Sequence, residues 1–227
     1  MRIDSASRAI LLHIFKKQTM DVSKLTDLEK ARCSSFLQKI GYSIEEFASS
    51  ENFSEDEQNK VIFNLIKEGI DVSAISELLD WKKFEQIISH IFNELNYTVL
   101  TNFRFKDEVT RYEVDVIAYN YPYIFLIDCK YYKFISSSVL KEAVKKQKER
   151  TEVIVEVFPF LSDELIKKLQ LPLKRKLYLF PVIISWRDHD LQFYQDVPII
   201  SYSQLTGFLN EIDEFRDNLF YLTINLT

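Results

Sequence analysis

Through the first third of the chain, apolar residues recur every three or four positions. Leu28, Ala31 and Leu37, then Ile62, Leu65 and Ile66, fall at helical spacing. Three capping boxes stand ahead of such runs: Thr26-Asp27-Leu28-Glu29, Ser43-Ile44-Glu45-Glu46 and Ser54-Glu55-Asp56-Glu57. In each, the hydroxyl can accept from the third helical N–H while the Glu reaches back to the cap's own N–H. The pattern predicts helices over 5–17, 27–40, 44–49 and 55–68. Gly69, a short turn and the apolar run to Leu79 make a helix-turn-helix possible over 55–79. A plain helical hairpin is the alternative, because the second helix carries no Lys or Arg to meet DNA.

From Trp81 onward the period changes. A helix over 80–95 leads into extended stretches at 97–105 and 111–118, a turn carrying Pro122, and an apolar strand over 124–130 that ends in charge. A basic helix over 138–155 follows, then a strand over 177–185 and a short one at 198–201. Ser203 caps a helix whose Leu205, Phe208, Leu209, Ile212 and Phe215 share a face, and 219–225 suits a last strand. This order predicts an α/β domain over 80–227, a mixed sheet flanked by helices, behind an all-helical module over 1–79.

Composition removes several classes of function. The 3 glycines of the 227 residues, Gly41, Gly69 and Gly207, are too scattered to build a phosphate-cradling loop, so no nucleotide cofactor is expected. The 2 cysteines, Cys33 and Cys129, suggest a reducing compartment rather than a disulfide framework. The apolar run Ala9–Phe15 is too short for a membrane span, and a cytoplasmic protein without membrane contact is expected. The net charge of −5 taken alone argues against a nucleic-acid partner.

Local chemistry changes that picture. Along strand 124–130, Ile124, Leu126, Asp128 and Lys130 share one face, which puts a carboxylate and an ammonium at the end of an otherwise apolar strand. A charge there needs a partner or a metal. Strand 111–118 sets Glu113, Asp115 and Ile117 on one face, and in a hairpin Asp115 can converge on Asp128. Two such carboxylates repel unless a cation lies between them, and hard oxygen ligands favour Mg²⁺ or Mn²⁺. The acid-x-Lys tripeptide alone says little, since Asp80-Trp81-Lys82 has it too. On helix 80–95, Glu85 borders the apolar face of Phe84, Ile88, Ile91 and Leu95. On the basic helix, Gln147 lies among Leu140, Val144, Thr151 and Ile154, a polar group on a face that packs.

Glu85 on a helix, Asp115 in Glu113-Val114-Asp115-Val116-Ile117-Ala118, then Ile127-Asp128-Cys129-Lys130 and a Gln-bearing helix resemble the PD-(D/E)XK restriction-endonuclease-like superfamily. Residues 81–150 are most similar to its Mrr-type and archaeal Holliday-junction-resolvase-like branch. Val114 stands where the motif's name has proline, and Asp128 where Glu is commoner. The resemblance implies a metal-dependent DNA endonuclease in which Asp115, Asp128 and the Cys129 carbonyl hold Mg²⁺ or Mn²⁺, with Glu85 completing the shell directly or through water. Lys130 would orient or deprotonate the attacking water, and Gln147 would position Lys130 or a phosphate. A nuclease-fold protein that only binds DNA or a protein partner, such as the transcription machinery, is the alternative. A homodimer would suit a two-fold symmetric junction.

Between 130 and 150 stand seven basic side chains, Lys130, Lys133, Lys141, Lys145, Lys146, Lys148 and Arg150, against Glu142 and Glu149. Apart from Lys130, these are the candidate contacts to nucleic-acid phosphates. A second basic cluster, Lys167, Lys168, Lys174, Arg175 and Lys176, comes next. Tyr131, Tyr132 and Phe134 either stack on bases or pack. His13, His90 and His189 form no set, and Asp188-His189-Asp190 reads as a polar turn.

Overall fold

The computed structural model describes residues 5–68, 81–132 and 136–226. The chain divides into two compact units, Met1–Lys83 and Phe84–Thr227. The turn and second helix of the possible helix-turn-helix lie outside the described residues, as do Lys133 and Phe134.

In the first unit, α1 (Ser5–Lys16) is followed by α2 (Asp27–Lys39), α3 (Ile44–Ser49) and α4 (Glu55–Lys67), the last three beginning where their caps dictate. All three capping boxes close: Thr26, Ser43 and Ser54 donate their N–H to Glu29, Glu46 and Glu57 at 2.8, 3.0 and 2.7 Å. α2 stops because Gly41 takes φ +90, letting Tyr42 N–H reach the Leu37 carbonyl at 2.9 Å. His13 is buried with its ring nitrogens each 2.9 Å from a carbonyl, those of Gln18 and Phe47, so it acts as a structural tie.

The second unit runs from α5 (Trp81–Glu94), in whose first turn the division falls, through β1 (Thr98–Lys106), β2 (Arg111–Asn120) and β3 (Tyr123–Lys130). It continues with α6 (Ser137–Leu169), β4 (Lys176–Ser185), β5 (Phe193–Tyr194), β6 (Val197–Ser201), α7 (Leu205–Phe215) and β7 (Leu222–Asn225). Their sheet is mixed and seven-stranded, in the order β1-β2-β3-β4-β6-β5, with β7 also on β4. β3 and β4 are parallel, so α6 is the crossover helix between them. The expected α/β architecture behind a helical N-terminal region holds.

The register assigns the faces. Ile117 opposes Leu126 and Tyr119 opposes Ile124, and these four pack with Ile154, Phe158, Leu165 and Leu169 of α6. On the other face Phe125 meets Phe92 of α5, Phe180 of β4 and Phe208 of α7, at centroid distances of 6.2, 5.7 and 6.3 Å. Pro181 is tolerated within β4 because β7 pairs with Lys176–Leu179 and β6 with Ile183–Ser185. On that side the proline falls in the gap between two ladders, where no N–H is needed.

Three expectations are corrected. The basic helix does not end near 155 but runs for 33 residues through Pro159. Proline removes one helical hydrogen bond, yet Phe158, Leu165 and Leu169 stay buried on the sheet and hold the second half in line. Ser203 does not cap the helix at 205. Gln204 folds back to accept from the Ser201 N–H at 3.2 Å, and Ser203 donates to Asp188 instead. The strand at 198–201 begins one residue earlier and forms a hairpin with β5, whose two residues are too short for an alternating pattern.

α6 ends on Gln170, which takes the left-handed conformation at φ 55. A non-glycine residue there costs about 1–2 kcal/mol, partly offset by the freedom glycine gains when unfolded. Gln170→Gly should therefore stabilise this unit by roughly 0.5–1 kcal/mol, seen as a higher urea midpoint at unchanged slope.

Candidate active site

At the end of β3, Asp128 is only 3% exposed, so its charge must be matched locally. Two cations do this. Lys130 Nζ lies 2.5 Å from Oδ2, and Arg150 Nη1 donates to Oδ1 at 2.8 Å. The Lys130 contact is a charge pairing that lacks the angle of a hydrogen bond, which leaves Oδ2 short of a directed donor.

Gln147 is completely buried, and both ends of its amide are used. Nε2 donates to the Leu126 carbonyl at 2.8 Å and Oε1 accepts from Arg150 Nη1 at 2.9 Å. One turn of α6 thus grips β3 at residue 126 through an amide and at residue 128 through a guanidinium. The sequence places Lys130 or a phosphate in the care of Gln147; what Gln147 holds here is Arg150. The basic stretch groups Arg150 with the phosphate contacts, yet this side chain turns inward. Its spacing of three from a buried glutamine, facing a buried aspartate, is the available signal.

Asp115 sits where β2 loses its ladders. The pairing with β3 ends at Val116 and Ile127, one step short of Asp115 and Asp128. On the other side Thr101 pairs with Val116 and Phe103 with Val114, while Asn102 between them turns to φ 52. Freed from the regular pleat, the Asp115 side chain accepts the Cys129 N–H at 2.7 Å, which brings its carboxylate beside Asp128.

Electrostatics record the crowding. Burial, then the Asp128 charge, push the Asp115 carboxyl up to about 6 against the lowering pull of the Cys129 N–H, Lys130 and Arg150. Glu85 on α5 is 8% exposed. Burial, then Asp115, Glu113 and Asp128, raise it to about 7, with Lys130 opposing. Burial, then Asp115, Asp128 and Glu85, push the Cys129 thiol well up, which favours its protonated form. Glu113 itself is tied to Arg104 at 3.0 Å on the neighbouring strand.

The donor chemistry fits a hard divalent cation, since Asp115 is burdened by burial and by the neighbouring Asp128 charge, and added positive charge there would relieve it. Mg²⁺ commonly takes one or two carboxylates and fills its remaining positions with water and phosphate oxygens. Among the described residues, no group of three or more His, Cys, Asp or Glu side chains is placed to hold a metal ion by itself.

The basic stretch divides. Lys148 lies over the Phe220 ring at 4.1 Å, Lys141 over Tyr194 at 5.4 Å, and Lys146 is 3.8 Å from Glu142. Lys141, Lys145 and Lys146 are exposed. Tyr131 packs on Phe84 and Trp186, and the Trp186 backbone N–H donates to the Lys130 carbonyl at 3.0 Å. Tyr132 is exposed. At Asp188-His189-Asp190, burial lowers the imidazole's proton affinity, and the nearby Ser203 hydroxyl goes to Asp188. Among the described residues no helix is long and apolar enough to cross a membrane.

Residues 80–183 match the family model NERD, nuclease-related domain, which belongs to the restriction-endonuclease-like fold. The matched stretch runs from α5 into β4 and contains Glu85, Asp115, Asp128, Lys130, Gln147 and Arg150. An uncharacterised protein of Archaeoglobus fulgidus is 28% identical over 135 residues, 58% of this chain and 91% of the relative. Among solved structures, a protein of unknown function, AF1548, aligns over 63% of this chain and 80% of its own, at 14% identity and a TM-score of 0.35. VC1899 from Vibrio cholerae aligns over 96% of this chain and 58% of its own, at 10% identity and a TM-score of 0.37.

Asp115 and Glu85 both hold their protons more tightly when folded than when unfolded. Their contribution to stability is therefore complete below the ordinary carboxylate range and lost as pH rises through about 6 and about 7. With EDTA present, the urea midpoint should fall from pH 5 to pH 8, and Glu85→Gln and Asp115→Asn should each flatten the fall. An unaltered pH profile in both variants would remove these two groups as its source.

Proposed function

We propose that this chain hydrolyses phosphodiester bonds in DNA with a divalent cation, Mg²⁺ or Mn²⁺, bound between Asp115 and Asp128. The observation that carries the reading is the meeting of these two carboxylates beside Lys130 at the end of β3, within a stretch that matches a nuclease-related domain. The cation, when bound, would stabilise negative charge on the scissile phosphate and make water more acidic. Lys130, held at the edge of the site, orients the attacking water and offsets charge on the phosphoryl oxygens. Glu85, with a proton affinity near neutrality, suits a water-mediated contact at the same centre and can take up a proton there. The Cys129 carbonyl is the further oxygen ligand that the superfamily resemblance implies. Exposed Lys141, Lys145 and Lys146 neutralise backbone phosphates without reading bases.

One observation favours a second reading. Both oxygens of Asp128 are already matched by cationic side chains, as suits a nuclease-fold protein that binds DNA or a protein partner without cutting. A two-fold substrate would call for a homodimer in either case.

Incubating the chain with plasmid, single-stranded and branched DNA separates the two. Wild type should cut at least one substrate with Mg²⁺ or Mn²⁺ and not with EDTA. Lys130→Ala should lose about 100-fold or more in rate while keeping its DNA affinity. Binding without metal-dependent cutting of any substrate would favour the second reading. Lys145→Ala with Lys146→Ala should weaken binding to all sequences alike and reduce the slope of log affinity against log salt by about 1–2.

A further inference from the structure

Asp128 Oδ1 is claimed twice. In the metal-dependent reading, on which this inference rests, Asp128 is a ligand of the divalent cation; in the structure its Oδ1 accepts Arg150 Nη1 at 2.8 Å. The guanidinium does not merely drift against the carboxylate. Its Nη1 is also held by Gln147 Oε1 at 2.9 Å, and Gln147, completely buried, is itself fixed to the Leu126 carbonyl. Four groups, Leu126, Gln147, Arg150 and Asp128, close a ring between β3 and α6.

A simple phosphate contact would need none of this anchoring. An arginine bound for the substrate backbone is best left long and solvated, as Lys145 is. Arg150 is instead only 23% exposed at its side chain, and both hydrogens of Nη1 are spent within the protein. A guanidinium keeps its charge at any physiological pH, so this positive charge cannot be removed by titration. Lys130, by contrast, reaches the other oxygen, Oδ2, without a directed hydrogen bond, and among the described residues no amide anchors it in the same way.

We propose that Arg150 is a resident counter-ion of the metal site: clamped by Gln147 against Asp128, it competes with the divalent cation for Oδ1 and sets how tightly that cation binds. It is a positioning residue, acting on the metal through Asp128. The arrangement weakens metal affinity, because the incoming ion meets a fixed unit charge across one carboxylate. It also keeps a buried carboxylate satisfied under every condition, which avoids the strain of an unpaired charge in the core.

The test is the affinity of the full chain for Mn²⁺ alone, by calorimetry and by the electron paramagnetic resonance signal of the free ion, without DNA. Arg150→Gln should bind Mn²⁺ roughly tenfold more tightly or better, the size that one charge within a few ångströms commonly produces, while Arg150→Lys should stay near wild type. In EDTA, Arg150→Gln should melt lower than wild type, and Mn²⁺ should raise its melting temperature further than that of wild type. A measurement on the unaltered protein covers the case in which Arg150→Gln does not fold. With ¹⁵N-labelled arginine, Mg²⁺ should shift the Arg150 guanidinium resonances, assigned by their absence in Arg150→Lys. If wild type binds Mn²⁺ and Arg150→Gln binds it no more tightly, or the guanidinium resonances do not respond to Mg²⁺, the counter-ion role is wrong while the metal reading stands. If neither wild type nor any variant binds Mn²⁺, the metal reading falls and the counter-ion role with it.

Discussion

Everything at the end of β3 is arranged around one requirement, that the nearly buried negative charge of Asp128 be answered from within the protein. A carboxylate with almost no access to water is tolerated only when cations and hydrogen-bond donors replace its hydration. The answer comes from two directions, Lys130 along the strand and Arg150 from the covering helix. The second cannot be delivered without Gln147, and Gln147 cannot be buried without the Leu126 carbonyl. The packing of α6 on the sheet and the electrostatics of the site are therefore one problem with a shared solution.

Asp115 shows the complementary device. A carboxylate in the middle of a regular ladder would point squarely off the sheet, with its backbone fully paired. Here the ladder to β3 has just ended, and Asn102 interrupts the ladder to β1 at the same level. The chain gives up regular pairing at one rung and gains a side chain that bends toward the neighbouring strand. Departures from ideal geometry concentrate where carboxylates must be brought together against their repulsion.

Much of the architecture was legible in the sequence because it is written in local signals. Capping boxes at Thr26, Ser43 and Ser54 act within four residues, and the alternation in 124–130 fixes which side chains share a face with no knowledge of the partner strand. Glu85, Asp128 and Gln147 could be singled out as polar groups on or beside apolar faces, and Asp115 as the acid that a hairpin brings toward Asp128. What could not be read depends on tertiary contact. Pro159 looks like a helix stop until the burial of Leu165 and Leu169 is known, and Arg150 looks like one more cation in a basic run until Gln147 is seen to hold it. The β5 strand carries too few residues to announce a period, and Asn102 gives no sign that its partner across the ladder is Asp115.

The length of α6 lets one helix meet the sheet at two distant places. Its first half carries Gln147 and Arg150 to the end of β3, while its second half, beyond Pro159, supplies Leu165 and Leu169 to the core. At about 1.5 Å per residue, these two duties lie on the order of 25 Å apart along one rod. The far end therefore bears on the core beyond Pro159, well removed along the helix from the side chains that answer Asp128.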